Sequence, residues 1–130
     1  MPEHVAAFDL VVTVPMHLWD EWIEEGDAAG EPPTGEEWGF YLGGAPPPFV
    51  DGARLYIVSH GRVRGYAPIT RVVSTDRLFV VCREGGAVAC TIEQPVRGFR
   101  GWRYRWWSNE EERPFPDWRT AGVRRARGRA

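Results

Sequence analysis

After one amphipathic segment near its start, the chain reads as about six short apolar strands at close spacing, and that pattern points to a small, partly closed β-barrel. The expected class is α+β, mainly β, with one N-terminal helix. Phe8, Leu10, Val12 and Val14 alternate with Asp9, Val11 and Thr13, the period of a strand. Pro15 ends it and opens the helix, in which Met16, Leu18, Trp19, Trp22 and Ile23 form an apolar stripe ending near Gly26. Gly26 to Gly35 is a loop, because Pro32-Pro33 prevents regular structure. Glu37 to Leu42 is a short aromatic strand, followed by a Gly-Gly-Ala-Pro-Pro-Pro connection that cannot enter a sheet interior.

The best-defined unit is Arg54 to Val73. Leu55-Tyr56-Ile57-Val58 is a strand, Ser59-His60-Gly61 a tight turn, and Arg62 to Val73 the return, with Pro68 indicating an edge or a bulge. Leu78 to Arg83 and Ala87 to Ile92 read as a second hairpin around Gly85-Gly86. The last strand is Trp102 to Trp107. Residues 1–118 form one domain on this reading, and 119–130 a frayed, disordered basic tail.

A chain of 130 residues has room for one modest core, and its 43% hydrophobic content is too high for wholesale disorder. No apolar run approaches the ~18 residues of a membrane-spanning helix, and the N-terminus lacks a basic, then apolar, secretory signal. A cytoplasmic protein without a membrane partner is the expectation. All sixteen basic residues are Arg, so no Lys is present to act as a Schiff base, general base or ammonium clamp. Charge is strongly divided: residues 1–53 carry −11 and residues 54–130 carry +9. Cys82 and Cys90 fall on the two arms of the second hairpin and read as reduced structural thiols. Neither stands at a metal-ligand spacing with His4, His17 or His60, so neither a metal nor another cofactor is expected.

Val50-Asp51-Gly52-Ala53-Arg54-Leu55-Tyr56-Ile57-Val58, followed by His60-Gly61-Arg62-Val63-Arg64-Gly65-Tyr66-Ala67, resembles the hairpin of PUA-like domains, notably their ASCH and EVE branches. Trp22-Ile23-Glu24-Glu25-Gly26 and Glu37-Trp38 stand in the order of the helix and strand that line a pocket in those folds. The likeness covers about residues 8–107. It departs from the family pattern in the reversed Asp51-Gly52 pair and in a Pro-rich loop replacing a Gly-x-Lys turn. The resemblance implies a nucleic-acid or nucleotide role, with RNA or a modified base as ligand. Some ASCH proteins are hydrolases that use a Lys, which this chain lacks.

Phe99-Arg100-Gly101-Trp102-Arg103-Tyr104-Arg105-Trp106-Trp107 is the most unusual stretch. As a strand it projects Trp102, Tyr104 and Trp106 to one face, the expected core, and Arg103, Arg105 and Trp107 to the other. The second face suits phosphate contacts and base stacking, or pairing with the acidic helix. Arg62 and Arg64 alternate with Val63 and Gly65 and point away from the expected core, forming a basic rim with Arg97 and Arg100. Trp38 and Tyr41 are the candidate pocket aromatics, with a core placement as the alternative for Trp38. For an enzyme, Glu36 or Glu37 is the candidate general base and Thr34 or Ser59 the candidate nucleophile.

Three readings follow. The first is an RNA-binding or modified-nucleotide-binding module using Trp38, Tyr41, Arg62, Arg64, Arg103, Arg105 and Trp107. The second is a hydrolase of RNA or modified nucleosides using Glu37 and Thr34. The third is a protein-interaction module presenting Asp20, Glu21, Glu24 and Glu25 to a basic partner. The first is preferred.

Overall fold

Leu55-Tyr56-Ile57-Val58 has no polar alternation, and a strand of that kind needs cover on both faces. In the computed structural model, which describes residues 8–17, 37–50, 52–84 and 88–115, this run is the middle of β3 (Arg54–Ser59), and all four side chains are 0% exposed. Leu55 and Ile57 enter one apolar cluster with Leu10, Val12, Phe79 and Val81. Tyr56 and Val58 enter a second cluster with Val11, Val63, Ile92 and Trp107. The strand β1 (Leu10–Thr13) lies parallel to β3, with Leu10 opposite Leu55 and Thr13 opposite Val58. It divides its side chains between the same two clusters.

Ser59 leads into a two-residue turn in which His60 has φ 53° and Gly61 φ 79°. Left-handed backbone at both central positions suits the twist of the flanking strands. The returning strand β4 (Arg62–Ser74) pairs antiparallel with β3. Its register shifts between Ile57↔Gly65 and Val58↔Val63, which leaves Arg64 as the extra residue of a bulge.

The expected second hairpin is corrected. Its two strands exist as β5 (Leu78–Glu84) and β6 (Val88–Thr91), yet they do not pair with each other. Both lie along the same edge of β4: Ile69 faces Arg83, and further along Gly65 faces Ala89. Ile69 donates its N–H to the Ala53 carbonyl (3.0 Å) on the β3 side. The nitrogen of Pro68 therefore faces the opposite edge, in the gap between β6 and β5, where a missing N–H breaks no ladder. The hairpin that does form joins β4 to β5, where Thr75 donates both its backbone N–H (2.8 Å) and its hydroxyl (2.9 Å) to the Leu78 carbonyl. Cys82 and Cys90 are consequently buried on successive strands rather than on facing arms, and both are free thiols.

The strand β2 (Glu37–Gly43) flanks β5, and β7 (Trp102–Tyr104) flanks β1, both antiparallel. The two-residue strand β8 (Arg113–Pro114) closes on β6. The order is β2-β5-β4-β3-β1-β7, with β6 and β8 branching from β4, in a curled, half-barrel sheet. The protein is thus mostly β, as a small β-barrel requires. Met16 and His17 are helical, and the rest of the expected helix lies outside the described residues, as does the tail 119–130. No helix among the described residues is long and apolar enough to cross a membrane.

Candidate nucleic-acid interface

The second apolar cluster needs a lid on the face away from the first, and the chain from Ile92 to Phe115 supplies it. Ile92, Val96 and Trp107 are buried in that cluster, while Phe99 packs against it half-buried. The connection from β6 to β7 is fastened at two further points. Val96 donates its N–H to the Gly61 carbonyl (2.8 Å), and Phe99 donates its N–H to Thr13 Oγ1 (3.1 Å). Gln94 and Pro95 before the first fastener, and Arg97 and Gly98 between the two, stay exposed.

After Tyr104 the chain leaves the sheet, because a buried polar network takes hold of it. Arg105 lies 3.3 Å from Asp9 Oδ2 through Nε, and its Nη1 donates to Glu112 Oε2 (2.6 Å), Asn109 Oδ1 (2.6 Å) and Tyr56 Oη (3.0 Å). Glu112 Oε2 also accepts from Tyr56 Oη (2.6 Å) and Trp107 Nε1 (2.8 Å). Arg54 completes the group, donating Nη1 to Tyr56 Oη (3.0 Å) and its backbone N–H to Asp9 Oδ1 (2.9 Å). Two carboxylates thus meet two guanidiniums, and a buried arrangement with balanced charge and satisfied acceptors avoids the cost of an isolated ion. Burial, reinforced by the bond to Glu112, raises the Tyr56 pKa well above that of a free phenol. Asp9, Tyr56 and Arg105 are buried while Arg54, Asn109 and Glu112 reach the surface, and the network pins the C-terminal segment to β1 and β3.

This pinning corrects the alternation expected for 102–107. Arg105 is 8% exposed and Trp107 5%, so neither belongs to a binding face. Arg103 and Trp106 are exposed, and Trp106 is not a core residue. Asp9, Tyr56 and Glu112 were not legible as partners of Arg105; the only local signal was Ser108, whose backbone N–H donates to Glu111 Oε2 (3.1 Å) in the turn that follows Trp107.

Arg64 is also corrected. It is 0% exposed, donates Nε to the Ser59 carbonyl (2.7 Å), and lies 5.4 Å from the centre of the Phe115 ring. Both faces of β4 are covered at this point, so alternation does not bring it to solvent. Burial, then the like charge of Arg62, lowers its pKa to about 10, which leaves it charged at neutral pH. Arg62 is half-buried, its guanidinium 4.4 Å from the centre of the same ring and its Nε donating to Thr91 Oγ1 (3.1 Å). Neither residue joins Arg97 and Arg100 in a rim.

Tyr41 is 73% exposed on β2, five strands from β7 in the sheet order. Glu37 and Trp38 begin β2, in register with Glu84 and Arg83. Thr34, Glu36, Asp20, Glu21, Glu24 and Glu25 lie outside the described residues. Ser59 Oγ stands 3.2 Å from His60 Nδ1, but the serine is buried and a substrate does not reach it.

What the structure does bring together is a shallow pocket of about 410 Å³ between the β6–β7 connection and the Arg103–Trp106 stretch. It is lined by Gln94, Pro95, Val96, Arg97, Gly98, Arg103 and Trp106. Trp106 is 43% exposed and donates its indole N–H to Gln94 Oε1 (3.4 Å). The Arg103 guanidinium rests 4.2 Å from the centre of the Phe99 ring. No carboxylate lines the pocket among the described residues. An indole face beside two guanidiniums can stack a planar ring and hold an anion next to it.

No protein-family model matches the chain, and comparisons with curated proteins and with solved structures found no match.

Proposed function

We propose that the protein is a small PUA-like β-barrel module that binds single-stranded RNA at the pocket between Gln94–Gly98 and Arg103–Trp106. One observation carries this reading: an exposed tryptophan lines a pocket with Arg97 and Arg103, and among the described residues no carboxylate lines it. Neither guanidinium has a hydrogen bond or ion pair among the described residues, so both are available to a ligand. A large aromatic held half in solvent normally costs hydration free energy, and a stacking platform is a use that offsets it. Trp106 would stack a base, and Arg97 with the neighbouring exposed Arg100 would hold phosphate oxygens. On this reading Arg97, Arg100 and Arg103 take the part expected of a rim with Arg62 and Arg64, and the aromatic is Trp106 rather than Trp107.

Titration with single-stranded RNA, followed by intrinsic tryptophan fluorescence at low and near-physiological salt, tests the proposal. Saturable, salt-sensitive quenching that disappears in Trp106→Ala is the expected result. Quenching that persists unchanged in that variant would place the ligand elsewhere, and a flat response to RNA would remove the reading.

A further inference from the structure

We infer that Thr13 and Phe99 are positioning residues of the Trp106 pocket, holding the Arg103 guanidinium in place before a ligand arrives, an inference that rests on the RNA reading and adds to it the residues that keep the site in shape. Within β1, Val11 and Thr13 stand two residues apart and so share one face of the sheet. Val11 belongs to the second apolar cluster, against which Phe99 packs, and Arg103 of β7 lies opposite Val11. Thr13 Oγ1 accepts the Phe99 N–H at 3.1 Å. Its methyl group lies close to Gly98, where an added Cβ would stand 3.1 Å from Cγ2. Gly101, at φ 72°, then turns the chain through the left-handed region. β7 follows, with the Arg103 guanidinium 4.2 Å from the centre of the Phe99 ring.

A surface arginine samples many rotamers, and a ligand that fixes one of them bears the lost entropy on binding. Arg103 is exposed yet rests on an aromatic ring, so part of that loss is met when the chain folds. The ring attracts the cation without using a conventional acceptor, which leaves the guanidinium N–H groups for acceptors beside Trp106. Every nucleobase carries an acceptor at its edge, so this contact adds affinity without choosing the base. Neither Thr13 nor Phe99 lines the pocket, and both therefore act through Arg103.

The test uses the full chain and a fluorescein-labelled uridine octamer, with affinities from fluorescence anisotropy. Arg103→Ala should weaken binding about tenfold, the loss of a charge-assisted hydrogen bond. Phe99→Leu keeps apolar bulk against the cluster but removes the ring, and should weaken binding about threefold. Added to Arg103→Ala it should cost nothing more, because a residue acting only through Arg103 then has nothing to position. Thr13→Val keeps the shape without the acceptor and should likewise weaken binding only while Arg103 is present. Thr13→Ser, which restores the hydroxyl, should bind like the unaltered protein. The Thr13 variants carry the test alone if Phe99→Leu does not fold. A further loss from either substitution in the Arg103→Ala background, or a Thr13→Ser variant as weak as Thr13→Val, would overturn the positioning role. Binding that needs Trp106 yet is indifferent to Phe99→Leu and Thr13→Val would overturn it too and leave the RNA reading standing. Failure of the octamer to bind the unaltered protein would overturn both.

Discussion

Trp106 and Trp107 are chain neighbours that meet edge-on, ring centroids 4.9 Å apart, yet they do opposite work. Trp107 packs edge-on against Tyr56 and donates to Glu112, so its ring and its N–H are both used inside the fold. Trp107→Ala opens a cavity and orphans part of the carboxylate's shell, and should cost about 3–5 kcal/mol in urea denaturation. Trp106→Ala should leave stability within about 0.5 kcal/mol while weakening RNA binding by about 1–3 kcal/mol. Equal losses of stability in the two variants would contradict the division. A second residue-scale prediction concerns Cys90, whose thiol is pushed up to about 12, chiefly by burial and then by the charge of Glu112. The reactive species is the thiolate. A thiol-specific reagent at pH 8 should therefore leave Cys90 of the native protein unmodified and modify it once guanidinium chloride unfolds the chain. Because the folded-state value lies above that of the free thiol, Cys90 contributes stability that is full below the unfolded pKa and is lost as pH climbs towards about 12.

At the scale of elements, the lid from Ile92 to Phe115 depends on one buried cation. Removing Arg105 takes the buried guanidinium away from Asp9 and Glu112, although Arg54 still meets both, and Arg105→Ala should cost about 3–5 kcal/mol, read from the urea midpoint. Arg103→Ala, two residues earlier and exposed, should change stability by no more than about 0.5 kcal/mol. The contact between β4 and β6 depends on Gly65, where a Cβ would stand 2.6 Å from the Val88 carbonyl oxygen. Gly65→Ala should cost about 1–3 kcal/mol by forcing the strands apart, whereas Gly43→Ala, with nothing within 4 Å, should not. The same elements explain how much of the fold was legible. The β3–β4 hairpin was, because its turn chemistry is local and Leu55-Tyr56-Ile57-Val58 announces a strand. The pairing of β5 and β6 was not, because two strands joined by Gly85-Gly86 look alike whether they fold back or continue along a third strand. Which of these occurs is decided by the length of β4, a strand of 13 residues able to accept both.

For the whole molecule, the formal net charge of −2 decides how a nucleic acid would be met. Long-range attraction to phosphate does not follow from such a total, so binding depends on a local group of arginines and on stacking. The sequence displayed Arg97, Arg100 and Arg103 as candidates, but not which arginines would be consumed by the fold. Asp9 and Glu112 take Arg54 and Arg105, and Phe115 takes Arg62 and Arg64. Apart from Arg105 and Glu112, which are seven positions apart, these contacts join residues 45 or more positions apart, beyond the reach of any periodicity. Among the described residues, Arg97 and Arg103 line the pocket beside Trp106, and the salt dependence measures how many arginines act there. For single strands the logarithm of the affinity falls with that of the salt concentration by about 0.7 for each phosphate neutralised. If Arg97 and Arg100 each hold one phosphate, the slope should be about −1.4 and should rise by about 0.7 in either single Ala variant. A steeper slope, on the order of −4, indifferent to both substitutions would mean that phosphates are held along a longer basic track than this pocket.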